Sequence, residues 1–319
     1  YYHGDLMERS MSLLLGLTGN WGKHGTGLRS WAVGLNDGMY SVMFKQESGP
    51  DSVGGTTELR DNIAASLQER DPTLTDEMIG YTIESMMAQM MGLFTPPAFF
   101  WYYHCGYREV WNKAQYGDPA MKRTFDEYFK EACEKGWWQV SEQRARESEP
   151  RFLIEVGGNL LRRQRGGARV LLEHLWPKLK TIVSVDWRIN TPGLYADYIL
   201  PAAQHYEKMN HPYSSPMHLH VLLIDKAAEP PGEALSEWNI LKDLARAIEE
   251  RAKARGTEPW IRRNGEPVAL DGLWKQLTKD GALVDEEDMM REVVQDSSIL
   301  GTIPAGTSLE TLREKGAIR

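Results

Sequence analysis

The feature that most restricts the fold is a short apolar run, residues 181–186, that ends in the carboxylate of Asp186. The run is too short for a typical helix, and its β-branched residues favour a strand buried on both faces. Asp186 would then lie at the carboxyl end of that strand, where open α/β sheets bind nucleotides. A carboxylate there can accept hydrogen bonds from ribose hydroxyls or from the edge of a guanine base.

A second strand-like run, residues 152–156, lies upstream and is joined to the first by a leucine-rich helical segment that Pro177 disturbs. Strand, helix and strand make a βαβ unit of about 30 residues. We therefore predict an α/β fold with Rossmann-like parallel βαβ units and a largely helical N-terminal part. The predicted parts are a helical part (1–150), an α/β ligand-binding unit (151–230) and a helical and irregular part (231–319).

The turn Gly157-Gly158-Asn159 follows the upstream strand. Two glycines let the backbone approach a phosphate closely, and Asn159 can bond a phosphate or sugar oxygen. The turn is not GxGxxG, so the dinucleotide fingerprint is not met. Arg163 is one of three arginines in the next loop, and guanidinium groups pair bidentately with pyrophosphate. These four residues are predicted to bind a ligand, although each arginine alone is more typical of a solvated surface loop.

A second glycine-rich segment, residues 17–28, follows a helical stripe near the N-terminus. Gly19, Asn20 and Gly22 permit unusual backbone angles and close approach to a ligand. Lys23 and His24 are the titratable groups inside this loop, and a lysine can steady negative charge or donate a proton. We predict that both are catalytic. The alternative is a helix-capping loop whose side chains point to water.

Charge and composition exclude several classes of protein. The chain has 319 residues, a net charge of -8, 41% apolar residues and 26% charged residues, as in an ordinary globular protein. The negative net charge argues against a nucleic-acid partner, whose phosphates bind to a basic face. No apolar run approaches the ~20 residues of a membrane helix, so direct membrane insertion is not expected. Cys105 and Cys133 form no CxxC pair.

Two residue clusters leave alternatives open. Several histidines and a glutamate in residues 205–220 could supply zinc ligands, but their spacing matches no zinc motif, and hydrogen-bonded or surface histidines are favoured. The cluster consists of His205, Glu207, His211, His218 and His220. The aromatic residues of 99–111 could line a channel for an apolar substrate or pack in a core.

Taken in order, these blocks resemble the dimethyl sulfoxide reductase family of molybdopterin oxidoreductases. The family pattern of a strand ending in Asp, then Thr, then ADxxLPxxxxxE matches at Asp186, Thr191 and residues 196–207. The GGN turn is similar to the family's GxN, but Leu160 stands where proline is common. The blocks HGDLMER, TGNWGK and HCGYREVWNK are similar to the nitrate reductase-like, type II branch.

The resemblance implies a molybdenum bis(molybdopterin guanine dinucleotide) cofactor. It assigns cofactor contacts to the glycine-rich loop and to the sheet edge. These residues are Gly19, Asn20, Gly22, Gly157, Gly158, Asn159, Arg163, Asp186, Thr191 and Asp197. A [4Fe–4S] cluster is expected in a full-length chain but not from this segment, since two cysteines cannot supply its usual four protein ligands. No residue here is assigned as a metal ligand, and the chain is interpreted as an interior segment.

The resemblance also implies partners and a location. A small-molecule substrate, an iron–sulfur electron-transfer β subunit and a haem b γ subunit are expected, with a periplasmic location reached by Tat export. The predicted reaction is oxygen-independent hydroxylation of an apolar substrate such as a hydrocarbon, as in ethylbenzene dehydrogenase. One alternative is reduction of nitrate, selenate or chlorate, or oxidation of dimethyl sulfide. Another class of protein, a non-catalytic α/β nucleotide-binding module, stays open.

Overall fold

The two predicted strands are present and pair in parallel. In the computed structural model, β1 is Phe152–Val156 and β2 is Thr181–Asp186. Phe152 lies opposite Thr181, and Val156 lies opposite Val185. A third strand, β3 (Tyr198–Pro201), completes a sheet of order β1-β2-β3. The prediction of an α/β fold with a parallel sheet is confirmed. All structural statements concern residues 4–21, 23, 26–27, 35–92, 102–137, 149–163, 167–211, 220–261 and 267–318, which the structure describes.

The remaining strands are short and form two antiparallel pairs. They are β4 (Val221–Leu222), β5 (Trp260–Ile261), β6 (Pro267–Val268) and β7 (Ala317–Ile318). Strand β4 pairs with β7, and β5 pairs with β6.

The α-helices of the described residues vary from one turn to five turns. They are α1 (Gly4–Leu17), α2 (Asn36–Phe44), α3 (Gly54–Arg70), α4 (Asp76–Gly92), α5 (Arg108–Trp111), α6 (Phe125–Glu134), α7 (Leu160–Arg163), α8 (Gly167–Val170), α9 (Glu237–Arg255), α10 (Leu273–Leu277), α11 (Glu286–Ile299) and α12 (Leu309–Lys315). Short 3₁₀ segments are Pro50–Val53, Trp176–Lys178, Pro192–Tyr195 and Leu270–Gly272, and π segments are Tyr103–Tyr107 and Leu171–Leu175. Within this part of the chain, no helix combines the length and the apolar character needed to cross a bilayer.

The connection between β1 and β2 is less regular than one helix. It consists of α7, α8, the π segment Leu171–Leu175 and the 3₁₀ segment Trp176–Lys178. Pro177 lies in the 3₁₀ segment, where its missing N–H and fixed φ are tolerated at the start of a turn. Leu161, Leu171 and Leu175 are buried and form the apolar cluster of this connection.

The chain divides into two compact units. Residues 1–59 and 201–319 form the first, and residues 60–200 form the second. The boundaries predicted after residues 150 and 230 were drawn by expected function rather than by compactness, and they stay a prediction.

The core of the first unit depends on close packing of α2 against α11. A Cβ atom at Gly38 would lie 2.1 Å from the Val293 carbonyl oxygen and 2.2 Å from Ser297 Oγ, so this glycine allows the two helices to approach. Val293 and Val294 are fully buried at the same interface. A larger residue than glycine at position 38 would force the helices apart.

A buried ion network joins the same two helices. Lys45, at the end of α2, is ion-paired with Glu292 and lies 2.9 Å from both carboxylate oxygens of Asp296. Glu292 also accepts a hydrogen bond from the Gly49 N–H at 2.6 Å. Burial is the main factor that raises the pKa of the Asp296 carboxyl, and the Lys45 ammonium opposes it. The lysine thus neutralises charge that burial would otherwise disfavour.

We predict that Lys45→Met destabilises the protein by about 3–5 kcal/mol, because it leaves two buried carboxylates without their cation. Urea unfolding followed by circular dichroism measures the change. The matched control is Lys130→Met, since Lys130 is exposed and lies 3.8 Å from Glu134. Its expected cost is at most ~1 kcal/mol. Equal effects for the two variants would contradict the structural role assigned to Lys45.

Candidate functional site

The candidate site is the carboxyl edge of β1 and β2, and it lies wholly in the second unit. The turn Gly157-Gly158-Asn159 leaves the end of β1, and Gly157 has a φ of +60°. The Gly157 N–H donates to the Val185 carbonyl oxygen at 2.9 Å. Gly157 therefore extends the pairing with β2, its N–H is already used, and its contact with a cofactor stays a prediction.

Glu155, the fourth residue of β1, holds the backbone that follows this turn. Its Oε1 atom accepts a hydrogen bond from the Leu160 N–H at 2.7 Å. A Cβ atom at Gly158 would lie 2.8 Å from the same oxygen, so a larger residue here would displace the Glu155 carboxylate from its present position. Burial raises the pKa of the Glu155 carboxyl, the Leu160 N–H opposes that rise, and the Asp186 carboxylate adds to it.

Asp186 and the turn are joined through one side chain, that of Asn190. The Asn190 Nδ2 atom donates to the Gly158 carbonyl oxygen and to Asp186 Oδ2, each at 2.7 Å. Its Oδ1 atom accepts from the Gly193 N–H at 2.9 Å. Asp186 is buried and also accepts from the Arg188 N–H at 3.4 Å. Parallel pairing thus brings the GGN turn and Asp186 together, as the sequence predicts.

Thr191 lies in the same loop, next to Asn190. Its carbonyl oxygen accepts a hydrogen bond from the Leu194 N–H at 3.1 Å, in the 3₁₀ segment that begins at Pro192. A Cβ atom at Gly193 would lie 3.4 Å from Asn190 Oδ1, so a larger residue there would press on the Asn190 side chain.

An open cleft of about 520 Å³ lies at this edge. Its lining includes both strand and turn residues. They are Leu153, Ile154, Glu155, Val156, Gly158, Asn159, Leu160 and Arg163. Glu155 Oε2 and Asn159 Oδ1 are buried atoms without a hydrogen-bond partner in the described part of the chain. Buried polar atoms are normally paired, so these two acceptors fit a ligand that brings donors.

Asp197 does not lie with the other predicted residues. Its Oδ2 atom accepts a hydrogen bond from the Ile182 N–H at 2.8 Å, and its own N–H donates to the Ile182 carbonyl oxygen at 2.9 Å. Ile182 lies near the start of β2, away from the carboxyl end that carries Asp186. The structure therefore gives Asp197 a local role at the edge of the sheet, and its contact with a cofactor stays a prediction.

The glycine-rich loop near the N-terminus belongs to the other unit and is described by itself. Gly19 has a φ of +69°, as a residue that ends a helix often has. Asn20 is exposed, and its Nδ2 atom donates to Thr18 Oγ1 at 3.0 Å. Lys23 is exposed, and its N–H donates to Thr26 Oγ1 at 3.1 Å. Gly22 and His24 lie outside the described residues, so the catalytic and cofactor roles of this loop stay predictions.

The histidine cluster shows local contacts where it is described. His205 Nδ1 lies 3.3 Å from Asn210 Nδ2, and His211 Nε2 lies 3.3 Å from Met39 Sδ. His218 is outside the described residues. Among the residues that the structure covers, no group of three or more histidine, cysteine, aspartate or glutamate side chains could hold a metal ion.

The described part of the aromatic segment packs as a core. Tyr103 and Phe129 are buried together, and their ring centroids are 5.9 Å apart. The rings of Trp111 and Phe125 are 5.0 Å apart. These contacts support the core-packing interpretation for the described rings, while residues 93–101 fall outside the described ranges.

Asn190 and Glu155 were missed by sequence reasoning. Asn190 lies in a loop between two predicted motifs, and an asparagine there is equally typical of a plain turn. Glu155 interrupts an otherwise apolar strand, which was the available signal. A buried carboxylate two residues before a Gly-Gly turn could have been flagged as a support for that turn.

A parallel sheet whose carboxyl edge carries a glycine turn and a buried aspartate defines the class of α/β ligand-binding proteins. Comparison with known protein families shows which family within this class the chain belongs to. The family model described as molybdopterin oxidoreductase matches residues 2–247. The chain therefore belongs to the molybdopterin oxidoreductase family.

Three curated relatives are similar to this chain. The respiratory nitrate reductase subunit alpha of Haloferax mediterranei is 29% identical over 93% of this chain and 26% of its own length. The perchlorate reductase subunit alpha of Dechloromonas aromatica is 24% identical over 99% of this chain and 28% of its own length. The dimethylsulfide dehydrogenase subunit alpha of Rhodovulum sulfidophilum is 32% identical over 51% of this chain and 17% of its own length. The chain therefore spans about a quarter of the length of the nitrate reductase and perchlorate reductase subunits.

We predict that Asn190→Ala lowers the free energy of unfolding by about 2 kcal/mol or more, because it leaves Asp186 Oδ2 and the Gly158 carbonyl without their shared donor. Thermal or urea unfolding measures the loss. The control is Asn62→Ala, which removes an exposed asparagine from α3. An Asn190→Ala variant as stable as the control variant would show that the link does not hold the edge together.

Proposed function

We propose that this chain forms part of the cradle for a molybdenum-bound pterin guanine dinucleotide in the catalytic subunit of an oxidoreductase that reduces an oxyanion. The observation that carries the proposal is the joined edge of the GGN turn and Asp186, held through Asn190. Family membership supports a molybdopterin cofactor. The guanine dinucleotide form is our inference from the chemistry of the edge.

The residues present fit a nucleotide. The glycine turn admits a ligand close to the backbone, and the buried acceptors of Glu155 and Asn159 lack donors among the described residues. Asp186, linked to the turn through Asn190, can accept hydrogen bonds from a base edge or a ribose, and Arg163 in the lining of the cleft can pair with phosphate oxygens. When bound, the molybdenum cofactor supplies the two-electron chemistry, and the protein supplies binding, orientation and charge.

The role of this edge is to bind and orient rather than to move protons. Asn190 holds Asp186 and the turn in fixed relation, and Glu155 fixes the path of the backbone after the turn. A misplacement of about 1 Å at a positioning site can reduce turnover roughly 10²-fold. Lys23 and His24 remain our candidates for charge stabilisation or proton transfer near the reacting centre.

The relatives favour an oxyanion over a hydrocarbon as the substrate. Two that align along nearly the whole chain are named for nitrate and perchlorate reduction, and a third, from Ideonella dechloratans, is a chlorate reductase subunit alpha. The aromatic segment that suggested an apolar substrate is a packed core where it is described. The dimethylsulfide dehydrogenase relative keeps sulfide oxidation as a second candidate.

Partners and location follow from the same proposal. The relatives are named as alpha subunits, which implies that they assemble with other subunits. We propose an iron–sulfur β subunit as the electron-transfer partner, a haem b γ subunit, and a periplasmic location. A [4Fe–4S] cluster is proposed for the full-length polypeptide, with ligands other than Cys105 and Cys133.

We predict that the full-length protein purifies with molybdenum and with a guanine nucleotide released on acid hydrolysis. Metal analysis by mass spectrometry and chromatography of released GMP measure both. Asp186→Asn should weaken retention of the nucleotide about tenfold or more, since a charged acceptor is lost. The exposed Asp243→Asn serves as control. Nucleotide without molybdenum would instead support a non-catalytic nucleotide-binding module, and absence of both would refute the proposal.

We predict that the purified enzyme oxidises reduced viologen when nitrate, chlorate, perchlorate or selenate is added, with turnover on the order of 1–1000 s⁻¹ for its preferred oxyanion. Absorbance of the dye measures the rate. Turnover of dimethyl sulfide or ethylbenzene with an oxidised dye, together with inactivity toward all four oxyanions, would overturn the proposed substrate class while leaving the cofactor proposal intact.

A further inference from the structure

The two carboxylate oxygens of Glu155 have different surroundings. The residue is 6% exposed. Oε1 accepts a hydrogen bond from the Leu160 N–H at 2.7 Å. Oε2 is buried and has no hydrogen-bond partner in the described ranges. A strand residue that only braced the turn would need one acceptor atom, so the second oxygen calls for a donor of its own.

The second oxygen belongs to a residue that lines the cleft. Glu155 and Asn159 both contribute to the lining, and Asn159 Oδ1 is likewise buried without a partner among described residues. Both atoms are acceptors. The group that satisfies them must therefore bring N–H or O–H donors.

We propose that Glu155 is a further ligand-binding residue of this cleft and that, with Asn159, it accepts hydrogen bonds from the donor-bearing edge of a guanine nucleotide. The donors are the N–H groups of the base or the hydroxyls of the ribose. This inference rests on the proposed function, because the nucleotide is that of the proposed cofactor. It adds a second carboxylate contact to the one that Asp186 provides.

The charges of the cleft fix the direction in which the nucleotide lies. Glu155 lines the cleft, and the nearby Asp186 carboxylate adds to the rise in its pKa, so negative charge is concentrated at the Glu155 end. A phosphate is repelled from that end. Arg163 places a positive group on the lining, and it suits the phosphates. The nucleoside therefore meets the carboxylates, and the phosphates lie toward Arg163.

The test uses full-length apoprotein from cells that cannot make molybdopterin, with GDP as the probe. The thermal transition is measured against GDP concentration for the unmodified protein, Glu155→Gln and the exposed control Glu109→Gln. Glutamine keeps a carbonyl oxygen for the Leu160 N–H, so the turn stays supported, but it puts an amide NH₂ where Oε2 was. We expect GDP to bind Glu155→Gln about tenfold more weakly than the other two proteins. Equal binding by all three would overturn the proposal.

A second arm compares nucleotide probes and identifies the donor. IDP lacks the 2-amino group of guanine, and 2′-deoxy-GDP lacks the 2′-hydroxyl. We expect one of them to bind the unmodified protein about tenfold more weakly than GDP, and that same probe to be insensitive to Glu155→Gln, since the paired contact is already absent. Equal binding of all three probes would exclude the 2-amino group and the 2′-hydroxyl as the donors and assign the contact to the base N1–H or the 3′-hydroxyl, both of which each probe retains. No GDP binding, combined with purified holoenzyme free of guanine nucleotide, would overturn the proposed function as well.

Discussion

The parallel pairing of β1 with β2 is the constraint on which the candidate site depends. Because Val156 lies opposite Val185, both strands end at the same level, and the GGN turn and Asp186 emerge side by side. The Gly157 N–H continues the ladder by one bond. Asn190 then joins the two strand ends through two hydrogen bonds of 2.7 Å, and the Gly193 N–H holds its Oδ1 atom at 2.9 Å. A register shift of one residue would turn these groups to the other face of the sheet.

Strands β1 and β2 were predictable from sequence because short apolar runs rich in β-branched residues are local signals. The meeting of the GGN turn with Asp186 followed from the rule that parallel strands end at one edge. The roles of Asn190 and Glu155 were not predictable, since each depends on a contact with a residue from another segment. The Asp197 carboxylate accepts a hydrogen bond from the Ile182 N–H, a contact that its motif position does not indicate, and its role as a cofactor ligand stays a prediction.

The aromatic segment shows how little composition indicates about a ligand. Many aromatic residues suggested a channel for a hydrocarbon, yet Tyr103, Trp111, Phe125 and Phe129 pack on one another as a core cluster. Aromatic side chains stabilise any core through the area they bury, so their number carries little information about a ligand. The positions of charged side chains near a reacting centre decide whether an anion or an apolar substrate binds. Sequence patterns do not give those positions.

The buried pair of Lys45 and Asp296 has a consequence for how the chain is made. The two residues are 251 positions apart in sequence, and the segment between them contains the whole of the second unit. During synthesis, residues 60–200 can therefore collapse around their own strands while α2 still has no partner. Until α11 leaves the ribosome, the Lys45 ammonium and the helix around it stay in water. Contacts of such long range slow folding, and they leave the N-terminal segment of the first unit open to chaperones or to aggregation.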